Sequence, residues 1–196
     1  MTRAPLAAVV LAVLPLVAGA ELPGPMAYTR QVLQKSHELV AGPGERKQKI
    51  TALNALLRTF LDTDAMGRKA MGRHLDGRSP EQVSAFLDVF RELFVRTYVQ
   101  RLLLFDVPEF GFREETIKGD DATVATEIIT PKDRFGVNYR MHRTADGWRA
   151  TDILVEEASL GDNFRSQFDA ALAKESFDSL MARLQKKVAG PAKSEL

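Results

Sequence analysis

Between positions 26 and 104, apolar side chains recur every three or four residues, the spacing of amphipathic helices that bury one face. Two breaks divide this stretch. The first is Ala41-Gly42-Pro43-Gly44, and the second is Ser79-Pro80-Glu81-Gln82, which combines a serine N-cap, a first-turn proline and a capping-box glutamine. The pattern predicts four helices, over residues 26–40, 46–60, 63–74 and 80–104.

After Val107-Pro108 the apolar period shortens to two, which indicates β-strands. Strands are predicted over residues 110–117, 121–130, 134–143 and 148–157, and Asp146-Gly147 favours a hairpin turn between the last two. Helical spacing returns at residues 163–172, and again at residues 177–187 after a Ser176 cap. The fold class is therefore α+β: a twisted antiparallel sheet of about four strands, wrapped by N- and C-terminal helices.

The N-terminus has the order of a secretory signal peptide. A positive Arg3 precedes an apolar run over residues 6–17, and Ala18-Gly19-Ala20 supplies the small residues of a cleavage site. An uncleaved membrane anchor is the alternative, but the run is shorter than the roughly 20 apolar residues that a spanning helix needs. We expect export from the cytoplasm with cleavage after Ala20, one domain over residues 21–189, and a disordered tail over residues 190–196.

Composition excludes several classes of chemistry. The chain has no cysteine, 27 basic and 26 acidic residues, and a formal net charge of +1. Without cysteine there is no disulfide, thiolate nucleophile or thiolate-bound metal, and a balanced charge is unlike that of a nucleic-acid-binding protein. The three histidines, His37, His74 and His142, do not stand at metal-ligand spacing. We therefore expect no metal, no cofactor and no nucleic-acid partner.

Asp152 is the carboxylate best placed for chemistry, because it falls within a strand that we expect to be half buried. By strand parity it shares a face with Trp148 and Leu154. A buried aspartate with a raised pKa can act as a general base, as in small cone-shaped α+β isomerases. The alternative is a structural carboxylate paired with Arg140 or Arg149. We favour the structural role, since buried charges are usually paired, and assign no catalytic residue.

The longest predicted helix carries an aromatic ridge, and the third strand carries an apolar row. The ridge comprises Phe86, Phe90, Phe94 and Tyr98, and the row comprises Val137, Tyr139 and Met141. Methionine is unbranched and polarisable, so the methionines of this chain suit an adaptable pocket. Composition alone is compatible with either a solid core or a hollow one.

Eight short sequence motifs follow one another along the chain, and their order is more specific for one protein family than any single motif is. They are Met71-Gly72-Arg73-His74, Phe90-Arg91-Glu92-Leu93, Thr97-Tyr98, Val137-Asn138-Tyr139-Arg140, Asp146-Gly147-Trp148, Asp152-Ile153-Leu154-Val155-Glu156, Ser159-Leu160 and Asn163-Phe164-Arg165-Ser166-Gln167-Phe168. Over about residues 30–187 this order resembles the MlaC family, also called the toluene-tolerance or Ttg2-type family, of exported phospholipid-binding proteins. Departures are Leu75 for tryptophan, Glu157 for glycine and Phe164 for tyrosine.

The resemblance implies a periplasmic carrier with a cone-shaped fold similar to NTF2, which encloses phospholipid tails. The implied partners are phospholipid, an outer-membrane lipoprotein–porin complex, and an inner-membrane ABC transporter with a lipid-binding ring. A hopanoid-type cargo remains open, as do an exported NTF2-like enzyme with Asp152 as base and a structural domain with a solid core. Parity and the resemblance together predict the lipid-lining residues Met66, Met71, Phe90, Phe94, Tyr98, Leu102, Val137, Tyr139, Met141 and Leu154.

Overall fold

A computed structural model describes residues 22–103 and 109–190. The predicted signal peptide, its predicted cleavage site after Ala20 and residues 191–196 of the expected tail lie outside the described residues. The elements, in chain order, are α1 (Pro25–Ala41), α2 (Arg46–Phe60), α3 (Thr63–Met71), a 3₁₀ turn (Gly72–Leu75), α4 (Pro80–Leu102), β1 (Glu109–Lys118), β2 (Asp121–Ile129), β3 (Arg134–Thr144), β4 (Gly147–Val155), β5 (Ala158–Ser159), α5 (Leu160–Leu172) and α6 (Phe177–Ala189).

Local capping chemistry sets where most helices begin. The Ser79 hydroxyl accepts a hydrogen bond from the Gln82 N–H, and the Gln82 side chain accepts one from the Ser79 N–H, which completes the predicted capping box. The predicted 63–74 helix ends earlier, at Met71, because Gly72 takes a positive φ of 52° that an α-helix cannot continue. The fifth helix begins before the predicted residue 163, since Ser159 caps it.

The sheet is antiparallel, with the strand order β1-β2-β3-β4-β5. Its fifth strand, only two residues long, was not predicted. It exists because Glu156 and Glu157 both take positive φ angles, 49° and 63°, and turn the chain back onto β4. Their carboxylates accept hydrogen bonds from β3, Glu156 from the Gly136 N–H and Glu157 from the Asn138 amide at 2.8 Å. These bonds stabilise a backbone conformation that favours glycine.

One irregularity in β4 changes which side chains share a face. Met141 of β3 pairs with Ala150, whereas its neighbour Arg140 pairs with Asp152, so Thr151 is an extra residue in β4. Directly opposed residues of an antiparallel pair share a face, and a bulge of this kind shifts the alternation by one. Asp152 therefore lies on the opposite face from Ala150, and the expectation that it shares a face with Trp148 was wrong.

A single apolar core joins the helices to one face of the sheet, here called the inner face. Residues of α1, α2, α3, α4, α5 and α6 contribute to it together with β2, β3 and β4. Helices α3 and α5 pack against each other beside β4. Within residues 22–103 and 109–190, no helix has the length and hydrophobicity needed to cross a bilayer.

Candidate functional site

The inner face of the sheet is a row of buried side chains on β2 and β3. Cross-strand pairing places Ala122 beside Met141, Val124 beside Tyr139, and Thr126 beside Val137. All six residues are buried. The alternation therefore puts Val137, Tyr139 and Met141 on one face, as their spacing predicted.

Helices α1 and α2 cover the part of this face near the middle of the strands. The Thr29 hydroxyl of α1 donates to the Met141 sulfur at 3.4 Å. The Phe60 ring of α2 meets the Tyr139 ring edge-on, with 5.3 Å between ring centroids, and also contacts Tyr28 at 5.8 Å. Edge-to-face rings at these distances add stabilisation beyond that of buried area.

The aromatic ridge of α4 packs mainly against α5. Phe90 lies 5.4 Å from Phe164, and Phe94 lies 5.8 Å from the same ring. Phe94 and Tyr98 are 4.5 Å apart along the helix. Among the described residues, the ring contacts of this ridge run within α4 and to α5, and none reaches Tyr139. The ridge and the sheet row are therefore two walls of one core, each packed against its own neighbours.

The ten predicted lining residues divide among four places. Met66 and Met71 are buried on α3, and Phe90, Phe94, Tyr98 and Leu102 lie along α4. Val137, Tyr139 and Met141 are on the inner face. Leu154 is also buried, but the β4 bulge turns it to the opposite face, outside the apolar core. Ile153, which pairs with Tyr139, takes the place on the inner face that sequence parity assigned to Leu154.

The apolar core reaches the surface at one end of the sheet, where β1 and β3 begin and β2 and β4 end. Phe110, Ile128 and Phe135 are cross-strand neighbours there, and Val155 pairs with Val137. Phe135 is 36% exposed and Val155 is 37% exposed, although both lie on the inner face. The name apolar end is used here for Phe110, Ile128, Phe135 and Val155 together with the half-buried Leu102, the last residue of α4, and Leu103, which follows it.

Contacts between helices place the N-terminus of α2 beside the C-termini of α1 and α4. Arg46, the first residue of α2, donates to the side chain of Gln100 near the end of α4 at 2.8 Å. Lys49 donates to the backbone carbonyl of Val40, near the end of α1, also at 2.8 Å. Arg30 lies 3.9 Å over the ring of Phe112, so α1 runs along β1 with its C-terminus towards the start of that strand. The three helix ends therefore gather at the apolar end.

Two tyrosines bring neutral hydroxyl groups to the core. Burial raises the pKa of Tyr98 to about 12, and the nearby Arg101 guanidinium opposes part of this increase. Burial raises the pKa of Tyr139 still further, against a smaller opposing effect of its hydrogen bond with Thr126. Both hydroxyls are therefore uncharged at neutral pH, so they add polarity to the core without adding charge.

Asp152 is the centre of a polar cluster that joins α3, β4 and α5. Its side chain is almost fully buried, and it accepts hydrogen bonds from Lys69 at 2.6 Å, from Ser159 at 2.6 Å and from the Gly161 N–H at 3.1 Å. Burial raises the pKa of this carboxyl, but the Lys69, Ser159 and Gly161 hydrogen bonds outweigh burial, and the pKa lies below its ordinary value. A carboxylate held ionised in this way is poorly suited to act as a general base near neutral pH.

Of the two cations that the sequence suggested, Arg140 does pair with Asp152, but Lys69 is the closer partner. Arg140 lies 3.5 Å from the carboxylate and is half exposed, so its contribution is secondary. Arg149 does not contact Asp152. Its guanidinium donates to the backbone carbonyls of Arg58 and Leu61, at 2.8 and 2.7 Å, where α2 ends. Lys69, which sequence reasoning missed, carries no local signal because it lies 83 residues away along the chain.

The arrangement suits binding of an apolar molecule better than a reaction. Its walls are alkyl and aromatic side chains, its tyrosines are neutral, and the buried carboxylate of Asp152 is ion-paired on the other face of the sheet. Among residues 22–103 and 109–190 there is no cluster of acidic or histidine side chains that could hold a metal ion. Sequence reasoning also missed Phe110, Ile128 and Val155 at the apolar end, although strand alternation carries their signal.

Comparisons with known proteins agree with this architecture. The toluene tolerance protein ttg2D of Pseudomonas putida is 24% identical over 132 residues, which cover 65% of this chain and 60% of that protein. The chain therefore spans about 60% of the length of this curated relative. A solved phospholipid-binding protein from Ralstonia solanacearum, in complex with a phospholipid, matches with a TM-score of 0.76 and 21% identity, over 87% of this chain and 100% of that one. This likeness shows a common fold.

The family model for the MlaC protein matches residues 27–186, from the first turn of α1 into α6. The match takes in every described strand and nearly all of the described helical residues. This chain belongs to the MlaC family.

Proposed function

We propose that this protein is a periplasmic carrier that holds the acyl tails of a phospholipid between its helices and the inner face of its sheet. The observation that carries the proposal is the apolar end, where the inner face continues from the buried Val137 to the exposed Phe135 and Val155. An apolar surface that connects a core to solvent is the feature that a tail-binding protein needs. Family membership and the lipid-bound relative of the same fold support it.

The energetics favour a carrier that shields tails without covalent chemistry. Burial of a methylene is worth roughly 0.8 kcal/mol, so two tails with about thirty methylenes cost on the order of 25 kcal/mol to expose to water. Alkyl and aromatic walls such as those around Phe94 and Val137 remove most of that cost. The nearly balanced charge suits brief contact with two different membranes, because it avoids strong attraction to anionic headgroups.

The carrier would exchange lipid with two membrane complexes. In keeping with the family resemblance, these are an outer-membrane lipoprotein–porin complex and an inner-membrane ABC transporter with a lipid-binding ring. The cost of exposing lipid tails to water supports this role, because a lipid that moves between two membranes needs a shielded route. The role would maintain the lipid asymmetry of the outer membrane.

Mass spectrometry of protein purified from the periplasm tests the proposal. We expect about one phospholipid per chain in an organic extract of the wild type. Val137→Trp fills the inner face and should lower the lipid content at least about twofold, since overpacking leaves less room for a ligand. Ile117→Trp is the matched control, because Ile117 lies on the same face at the opposite end of the sheet and is exposed.

Three outcomes would contradict the proposal or change its cargo. Wild-type protein without bound lipid would contradict it, as would equal lipid contents in Val137→Trp and Ile117→Trp. A hopanoid in the extract would retain the carrier but replace the phospholipid. If Val137→Trp does not fold, Val155→Trp tests the same face at a position that is already 37% exposed.

A further inference from the structure

A cleft lies between α3 and the first half of α4. This cleft has a volume of about 450 Å³, and its lining includes Asp64 and Arg68 of α3 and Arg78 of the loop before α4. Arg91, the last lining residue along α4, precedes Leu102 at the end of that helix by 11 residues, or about 17 Å along the helix axis. The cleft is therefore remote from the apolar end.

Both carboxylates of the cleft are held by one arginine. Arg91 donates to Asp64 across the two helices at 2.6 Å and to Asp88 along α4 at 2.8 Å. These contacts join the walls of the cleft and occupy both ends of the Arg91 guanidinium. The negative charges of Asp64 and Asp88 are thus paired with Arg91 within the protein itself.

Two further arginines of the cleft remain uncompensated. Arg78 donates its Nε–H to the His74 carbonyl at 3.3 Å and stacks on the Phe177 ring at 4.5 Å, which orients its guanidinium. Arg68 is exposed on α3. Within residues 22–103 and 109–190, neither guanidinium meets a carboxylate. An oriented arginine with unused donors is the side chain best suited to bind a carboxylate in two places at once.

Apart from Ser84, the remaining lining of the cleft is apolar. Pro80, Val83 and Leu87 follow one another along one face of α4, and Leu87 is buried while Pro80 is exposed. A site of this kind, with an aliphatic strip beside two arginines, is more polar and more open than a typical small-molecule pocket. It has instead the mixture of arginine and aliphatic surface that is common where proteins meet.

We propose that this cleft docks an acidic segment of a partner protein, with carboxylates on Arg68 and Arg78 and an aliphatic side chain on Val83 and Leu87. This inference rests on the proposed function, because a lipid carrier needs a protein partner to deliver its lipid to. Charge complementarity selects the acidic segment, since the unpaired charges of the cleft are positive. A partner held there leaves the apolar end free to exchange lipid.

Nuclear magnetic resonance of the mature chain provides the test. The probe is a short peptide of alternating glutamate and leucine, and its matched control replaces each glutamate with glutamine. We expect the acidic peptide to shift the amide signals of Arg68, Arg78, Val83 and Ser84, and the control peptide to shift none of them. Arg68→Glu and Arg78→Glu should each weaken binding about tenfold or more, whereas Lys118→Glu, the same charge change on β1, should not.

The results separate this inference from the carrier proposal. Lipid content of Arg68→Glu and Arg78→Glu is measured on the same samples, and we expect it to match the wild type. Absence of peptide binding, equal weakening by Lys118→Glu, or displacement of the peptide by inorganic phosphate alone would overturn the docking site. None of these results bears on whether lipid is bound.

Discussion

The Lys69 ammonium lies 2.6 Å from the Asp152 carboxylate, although the two residues are 83 positions apart. The contact ties α3 to β4, and the Ser159 and Gly161 bonds to the same carboxylate add the start of α5. Asp152 is 3% exposed at its side chain and Lys69 is 29% exposed, so the carboxylate is far less hydrated than its partner. This cluster holds together three elements that surround the edge of the sheet.

Removing the charge of Asp152 should cost stability. Loss of one partner of a buried ion pair costs about 3–5 kcal/mol, and we expect Asp152→Asn to fall near the lower end because Lys69 remains partly hydrated. Urea unfolding measures the change. Glu38→Gln is the control, since the Lys35–Glu38 pair is exposed on both sides and is worth at most about 1 kcal/mol. Similar losses in the two variants would show that the Asp152 cluster is not a stabilising contact.

The same cluster makes stability depend on pH in a defined direction. Because the pKa of Asp152 is below its ordinary value of 3.8, its contribution is present above that value and is lost as the pH falls through the folded-state pKa. The difference in unfolding free energy between wild type and Asp152→Asn should be constant above about pH 5 and shrink in more acidic solution. A difference that grows on acidification would indicate a raised pKa and reopen the general-base role.

The turn between β4 and β5 should tolerate glycine better than glutamate. Glu157 has a φ of 63°, a conformation that costs a residue with a Cβ about 1 kcal/mol. Glu157→Gly relieves this strain but adds entropy to the unfolded chain and loses the exposed hydrogen bond from Asn138, so it should stabilise the protein by at most about 0.5 kcal/mol. Thermal unfolding is the measurement. Glu157→Gln keeps the backbone strain and an acceptor oxygen, so it should leave stability unchanged; a gain there would point to charge instead.

Polar substitution at the apolar end should impair lipid binding more than folding. Phe135 and Val155 are partly exposed, so Phe135→Asp and Val155→Asp should lower stability by about 1 kcal/mol or less. A carboxylate beside the tails is costly to desolvate, and lipid content should fall. Ile117→Asp, at the opposite end of the same face, provides the control. Full lipid content in both apolar-end variants would place the tails elsewhere.

Export can be tested separately from lipid binding. The order of positive, apolar and small residues up to Ala20 predicts that the periplasmic form begins at Glu21. N-terminal sequencing of protein from a periplasmic extract measures this directly. Full-length chain that begins at Met1 and stays in the cytosol would contradict the prediction.

Local chemistry explains how much of the fold the sequence predicted. Helix α2 matches its predicted bounds, and α4 begins at the predicted Ser79 capping box, because a cap involves only residues three positions apart. The inward direction of Val137, Tyr139 and Met141 followed from alternation within one regular strand. The resemblance to the MlaC family, which rested on the ordered strings, was confirmed by the family match.

Tertiary packing decided the features that local patterns do not encode. The extra residue Thr151 moved Asp152 and Leu154 to the other face, because a bulge depends on how two strands fit together and leaves no mark in the alternation. Lys69 replaced Arg149 as the partner of Asp152, since α3 crosses β4 where the carboxylate is buried. The sequence by itself determined the helices, the strands of the main sheet and the family; only the three-dimensional contacts of those elements determined which side chains meet.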